Sequence, residues 1–409
     1  LKKIVLPMLI LSLLTGCGDT PVELSAVSVP AANFSEPETV PQTSEAETTE
    51  AASEAPTEAE ETVSPKVAKK LKEMNLQEKI CQMFVAVPEA VPGYNSMLYV
   101  DDWFNTCYEE YPIGGFIYFD TNISYDQQLR DLLSRSQETA MDRGIGVFQS
   151  VDEEGGSITR VQKMLWTTPV YDMSHYGKLN DVDKAYEAGR TIGGYLADYG
   201  FNVDFAPVAD VNINPSNELG NRIFSSDPIV VSDMSAAVVK GLKSQEICTT
   251  LKHFPGLGAG DGNTHYDSVH IDRTYEQLTI EEFPAFMGGI EAGTDFVMVG
   301  HQITSASGDE LPGDLSPVVV TDWLRGELGF DGIIISDSHS MGAITNVYTS
   351  DEAAIMAVKA GVDVILMPYD LRTAVDGLKD AVNTGKIPLE RINESVTRIL
   401  EKKEELGLI

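Results

Sequence analysis

Residues 251–269 read LKHFPGLGAGDGNTHYDSV: a Lys-His pair, a glycine-rich run, and a second histidine, His265, between Asp261 and Asp267. The chain has only six histidines, and two of them fall here. Glycine tolerates backbone angles closed to other residues, so the run reads as a mobile loop. An imidazole carried on such a loop can give and take a proton near neutral pH. Further polar groups close short apolar runs along the chain: Asp152-Glu153-Glu154, Asp210, Lys252-His253, His301, and Asp337 with His339. Carboxylates, imidazoles and an amine are the residue types of acid–base and nucleophilic chemistry. Asp261, His265, Asp267 and His270 also offer metal-ligand types, but their spacing matches no structural-zinc pattern. A solvated, inert loop is the remaining alternative.

Those residues need elements that bring them together. Apolar runs with strand character recur at QMFVAV (82–87), GGFIYF (114–119), GVFQSV (146–151) and NVDFAPV (202–208). They continue at CTTLKHF (248–254), DFVMVGH (295–301), GIIISD (332–337) and VDVILMP (362–368). Amphipathic helical patterns lie between most of them, at 124–142, 183–200, 232–245 and 350–361, and residues 388–408 form a closing helix. Nearly all-apolar strands, each followed by a helix, indicate buried parallel strands. Eight such units predict an α/β fold, a (β/α)8 TIM-type barrel, with a doubly wound open sheet as the alternative that periodicity leaves open. In a barrel, polar groups at the C-terminal ends of successive strands line the active site.

The ends of the chain bear on location. LKKIVLPMLILSLLTGC opens with two lysines and an apolar run, and Leu1 reads as a start codon translated literally. That pattern is a secretory signal, too short in its apolar part to span a bilayer. Residues 18–65 hold eleven acidic residues and no lysine or arginine, within a net charge of −34. Such a stretch cannot bury enough apolar surface to order itself, so it is expected to act as a disordered tether with a reach of about 40 Å. The acidity excludes a nucleic-acid footprint. Cys81, Cys107 and Cys248 are too few and too scattered for a disulfide framework and read as small core residues.

Several segments, taken in order, resemble glycoside hydrolase family 3 and its bacterial β-N-acetylglucosaminidase branch, from about Leu71 onward. They are MNLQEKICQMF (74–84), GGFIYFDTNI (114–123), VDEEGGSITRV (151–161) and FAPVADVN (205–212) with NRIFSSDP (221–228). KHFPGLG (252–258) and IIISDSHSMGAI (333–344) complete the set. Leu-Thr-Gly-Cys at 14–17 is similar to the bacterial lipoprotein signal, which implies cleavage before Cys17 and lipidation of its sulfur; an ordinary signal peptide is the alternative.

The resemblance implies that Asp337 is the catalytic nucleophile, against the alternative of an aspartate capping the next helix. It implies that His265 is the acid/base, within a loop triplet that is usually Asp-Ser-His and here is Asn263-Thr264-His265. An asparagine brings no charge to the imidazole, so Asp261 or Asp267 is the other source of one. Leu257 stands where the family usually has a further histidine. Asp152, Arg160, Arg222, Lys252, His253 and His301 are implied sugar ligands, with Arg160 and His301 open to structural readings instead. Glu153 and Glu154 read as helix-start and loop anchors.

The sequence therefore predicts a signal peptide and lipobox over 1–17, a tether over 18–65 and a single catalytic barrel over 66–409. The implied activity is removal of terminal β-linked N-acetylglucosamine through a covalent glycosyl-enzyme, in cell-wall or glycan turnover. No metal or organic cofactor is called for. The expected protein is a monomer on the extracytoplasmic side of a bacterial membrane, held there by its lipid, with a carbohydrate substrate. With the chain stopping at Ile409, a further sandwich domain is not expected. Alternatives are a family-3 β-glucosidase or other β-hexosidase, and a non-catalytic sugar-binding lipoprotein.

Overall fold

The computed structural model describes residues 63–409. The readings of a signal peptide, lipidated Cys17 and tether fall on residues outside that span, apart from the last three residues assigned to the tether. There the boundary moves: the first helix already begins at Pro65, and Ser64 caps it by accepting the Val67 N–H at 3.2 Å. Ser64 also donates to Glu404 on the closing helix at 2.5 Å, so the folded body starts before residue 66.

Eight parallel strands close into a barrel: β1 (Phe84–Ala86), β2 (Gly115–Tyr118), β3 (Phe148–Val151), β4 (Val203–Asp204), β5 (Cys248–Phe254), β6 (Phe296–Val299), β7 (Ile333–Ser338) and β8 (Val364–Leu366). Closure is visible at Val85, which pairs with Gly115 of β2 on one side and Leu366 of β8 on the other. The open-sheet alternative is thereby excluded. Every apolar run singled out in the sequence contributes one strand; most strands are shorter than their runs, β5 covers the whole of 248–254, and β7 runs one residue past 337. In β7, Ile333, Ile334 and Ile335 are buried between the barrel interior and the helical shell, whereas Asp337 and Ser338 emerge half-buried at the mouth.

Local signals set the helix ends. Asn75 and Glu78 form a reciprocal capping box ahead of the helix Leu76–Gln82, and Thr349 with Glu352 do the same for Ser350–Ala360. Phe148 and Phe296 meet edge to face inside the barrel at 5.4 Å. Lys403 of the closing helix Leu389–Glu405 reaches toward the opposite end, donating to Gln82 Oε1 at 2.6 Å and the Gly114 carbonyl at 2.8 Å. Burial without a carboxylate pushes its ammonium pKa far down. Cys81, Cys107 and Cys248 are free and buried, as small core residues are.

Two features of the fold shape the mouth. A second apolar cluster (Val208, Leu219, Ile223, Leu257, Val269 and Ile271) underlies the loops after β4 and β5. The short ribbon of His270–Ile271 against Ile303–Thr304 ties down the far end of the glycine-rich loop, where Ile303 N–H donates to Val269 at 2.8 Å.

Candidate active site

The C-terminal ends of the strands surround a cavity of about 350 Å³. Asp152, Arg160, Arg222, Lys252, His253, His265 and Asp337 all line it, drawn together from the ends of β3, β4, β5 and β7 and their loops.

One wall is a chain of charges. Lys252, on β5, is 2 % exposed and places its ammonium 2.8 Å from Asp152 and 2.6 Å from Glu154. Glu154 also takes the Arg222 guanidinium through Nε and Nη2, both at 2.8 Å. Burial works against charge at Glu154, yet Arg222 and Lys252 outweigh it and hold its carboxyl far below the usual range. Arg222 Nη2 then touches His253 Nε2 at 3.4 Å, and His253 Nδ1 meets Asp210 at 2.8 Å. Asp210 accepts the backbone N–H groups of His253 and Leu257 as well, so one carboxylate fixes both the ring and the start of the loop. Arg160 stands 4.0 Å from Asp152 and 3.9 Å from Asp120, with its guanidinium over the Phe119 ring.

This wall is easily tested for its charge balance. Removing one partner of a buried ion pair leaves an uncompensated charge, so Lys252→Met should cost about 3–5 kcal/mol of unfolding free energy. Urea denaturation measures it, and a loss under about 1 kcal/mol would show that the two carboxylates do not depend on the lysine.

Asp337 lies at the end of β7 and accepts the Ser338 N–H at 2.7 Å. Burial alone would push its carboxyl up. The imidazoles of His301 and His253, the Ser338 N–H and Lys252 outweigh that and keep it below its ordinary value. Asp337 is therefore ionised at neutral pH. His301 supports it from behind and is not a sugar ligand: its Nδ1 meets Asp314 at 2.9 Å and its Nε2 donates to the Ser338 carbonyl at 2.9 Å. With both ring nitrogens engaged and the side chain buried, nothing is left to offer a hydroxyl. Burial opposes charge on His301, but Asp314 prevails and raises it to about 9. Asp314 also receives His339 Nε2 at 2.7 Å, so His339 belongs to this buried support.

His265 lies on the exposed side of the cavity. Asn263 does not face its ring; Asn263 Oδ1 accepts the backbone N–H of His265 at 2.9 Å. Asp261 is exposed and absent from the cavity wall, and Asp267, also exposed and absent from it, accepts the Ser268 N–H at 2.8 Å. Leu257 fills the second apolar cluster, which is the environment that position provides. Glu153 caps the helix Val161–Leu165 by accepting the N–H groups of Arg160, Val161 and Gln162 at 2.6–2.9 Å.

The sequence reading overlooked Asp210 as the holder of His253, Asp314 as the carboxylate shared by two histidines, and Glu218, which reaches the loop at Thr264. Asp210 was visible as a polar strand end; Asp314 and Glu218 carried no local signal.

Comparison with known proteins bears on this arrangement. The profile of the glycosyl hydrolase family 3 N-terminal domain matches residues 75–402, which span the whole barrel and every residue of the cavity wall. A protein named beta-hexosaminidase A from Pseudoalteromonas piscicida is 30 % identical over 323 residues, covering 72 % of this chain and 54 % of its own length. The chain thus spans about half of that relative. A beta-hexosaminidase from Hydrogenovibrio crunogenus is 30 % identical over 287 residues, covering 68 % of this chain and 79 % of its own. The solved structure of a glycoside hydrolase family 3 beta-N-acetylglucosaminidase from Paenibacillus sp. str. FPU-7 superposes with a TM-score of 0.77 at 33 % identity, covering 82 % of this chain and 63 % of that one. Matched from its entry helix to its closing helix, the chain belongs to glycosyl hydrolase family 3.

Proposed function

We propose that the chain is a retaining exo-glycosidase that removes terminal β-linked N-acetylhexosamine, N-acetylglucosamine foremost. The observation that carries the reading is the shared cavity of Asp337 and His265. Retention needs an ionised carboxylate to attack the anomeric carbon and a second group to protonate the departing oxygen. Asp337 is ionised and half-buried; His265 is the exposed proton carrier on the other element. Asp152 has Oδ1 committed to Lys252, leaving Oδ2 to accept sugar hydroxyls. Arg222 bonds Glu154 and His253 through Nε and Nη2; among the described residues its Nη1 makes no hydrogen bond and can donate to the sugar.

In the mechanism, the sugar lies between the charged wall and Asp337. Its carboxylate attacks as the glycosidic bond breaks, His265 gives its proton to the leaving oxygen, and the sugar is held as an ester of Asp337. The same imidazole then takes a proton from water, which releases the sugar with its β configuration. The names of the relatives support N-acetylhexosamine as the substrate class. The signal-like stretch at 1–17 with Cys17 supports a lipid-anchored enzyme on the extracytoplasmic face; action on cell-wall or other glycans, as a monomer, completes the proposal.

A panel of aryl β-glycosides, each with and without phosphate, tests the reading. A site that hydrogen-bonds an acetamido group penalises sugars lacking it, so the N-acetylglucosaminide should exceed the glucoside in kcat/KM by about 100-fold or more. Equal or better turnover of the glucoside would make the protein a β-glucosidase. Binding of N-acetylglucosamine without turnover of any glycoside would make it a sugar-binding protein.

A further inference from the structure

The His265 imidazole is exposed and makes no hydrogen bond among the described residues, on a loop whose glycines leave its backbone many alternatives. Its neighbour Thr264 is different. Thr264 is 2 % exposed although His265 and Tyr266 beside it are open to solvent. Its N–H and its hydroxyl both donate to Glu218 Oε1, at 3.0 and 2.9 Å. On its other side the Thr264 carbonyl accepts the Ala343 N–H at 3.2 Å, and the His265 carbonyl accepts that of Gly342 at 3.0 Å.

Glu218 comes from the loop after β4, which grips the glycine run elsewhere too. Asn214 donates through its N–H to Gly258 at 2.9 Å and through Nδ2 to Gly260 at 2.8 Å. Those are neutral contacts well before the histidine. Among the described residues, Glu218 is the charged side chain that bonds the loop next to His265, and it lines the same cavity. Hydrogen bonds to an ionised acceptor are roughly twice as strong as neutral ones. Proton transfer requires the donor within about 2.6–3.2 Å of the oxygen it serves. A clamp one residue away is therefore well placed to decide whether His265 meets that requirement.

We infer that Glu218 is a positioning residue for the acid/base step: by clamping the Thr264 N–H and hydroxyl it sets His265 over the cavity that Asp337 also lines. The inference rests on the acid/base reading of His265 proposed above. It supplies from the β4 loop the restraint that the Asn263-Thr264-His265 triplet does not supply to the imidazole itself.

The test compares Glu218→Ala and Glu218→Gln in the whole protein, by amide hydrogen exchange over residues 258–268 and by kinetics. The exchange arm reads the clamp without reference to catalysis. Glu218→Ala should speed exchange of the Thr264 amide by about tenfold or more; unchanged exchange overturns the clamp whatever the enzyme does. In the kinetic arm, Glu218→Ala should lower kcat on an N-acetylglucosaminyl disaccharide by about 10- to 100-fold. A dinitrophenyl N-acetylglucosaminide, whose leaving group needs no proton, should keep its glycosylation rate and show a burst. Glu218→Gln retains an oxygen acceptor without its charge and should fall between the parent and Glu218→Ala in both arms. Equal loss on both substrates without a burst, or a glutamine variant as impaired as the alanine one, overturns the inference. Faster exchange with no change in leaving-group dependence would also overturn the inference, whereas the acid/base reading itself fails only if His265→Ala shows no leaving-group dependence either. Should Glu218→Ala fail to fold, Thr264→Val deletes only the hydroxyl bond and should show the same leaving-group selectivity at smaller amplitude; a uniform loss there overturns the inference equally.

Discussion

Asp337→Asn should lower turnover of an N-acetylglucosaminide by about ten-thousand-fold or more while leaving the fold intact, because an amide cannot form the covalent glycosyl ester. The fold should survive because the amide oxygen can still accept the Ser338 N–H that Asp337 accepts now at 2.7 Å. The imidazole of His301 keeps Asp314 as its partner, so the substitution leaves no buried charge wholly unpaired. Circular dichroism and a thermal melt check the first point, and initial rates the second. Residual turnover within about a hundredfold of the parent would mean that another group attacks the sugar. The pH dependence has a fixed sign. Since the surrounding cations hold the Asp337 carboxyl below its ordinary value, its ionisation is complete above that value. Activity should then be lost through this group only as pH falls below the usual carboxylate range, about 4.

His265→Ala should cost about 10²- to 10⁴-fold on substrates with poor leaving groups, the usual worth of a positioned acid or base. The loss should shrink as the leaving group improves, since a dinitrophenolate departs without protonation. Deglycosylation still needs a base for water, so the covalent species should accumulate and release of the first equivalent should appear as a burst. The geometry gives this variant a clean reading, because among the described residues the imidazole makes no hydrogen bond whose removal could disturb the site. Stopped-flow kinetics on a series of aryl N-acetylglucosaminides measures both effects. Equal slowing across the series, with no burst, would assign proton transfer to another group.

Much of this site was legible in the sequence for a physical reason. Strands buried on both faces must be apolar nearly throughout, so a polar residue that closes such a run stands out, as Asp337 does after Ile333–Ser336 and Lys252-His253 do within CTTLKHF. Alternation with helices then indicates parallel strands in a barrel or an open sheet, and the closed barrel fixes which ends face the cavity. What the sequence hid were pairings between distant loops. Asp314 lies thirteen residues from His301 and twenty-five from His339, yet one carboxylate holds both, and that sharing turns His301 away from the sugar. Glu218 is forty-six residues from Thr264 and lies outside every segment that carried the resemblance; only the approach of the β4 and β5 loops gives it a partner. Asn263 looked like a weakened partner of the imidazole by its place in the triplet, whereas its side chain turns back to the His265 backbone. The folded boundary moved for a similar reason, since Ser64 gains its role from Glu404 at the other end of the chain.

The central claim is that Asp337 forms a covalent bond with the sugar, and trapping that bond tests it most directly. A 2-fluoro sugar with a good leaving group slows the breakdown of a glycosyl-enzyme more than its formation, so the intermediate accumulates. After incubation, proteolysis and mass spectrometry should find one sugar per protein, on the peptide spanning residues 333–344, with fragmentation placing it on Asp337. A sugar found on Asp152, Glu154 or any other carboxylate, or enzyme that turns the reagent over with no covalent species, would contradict the account.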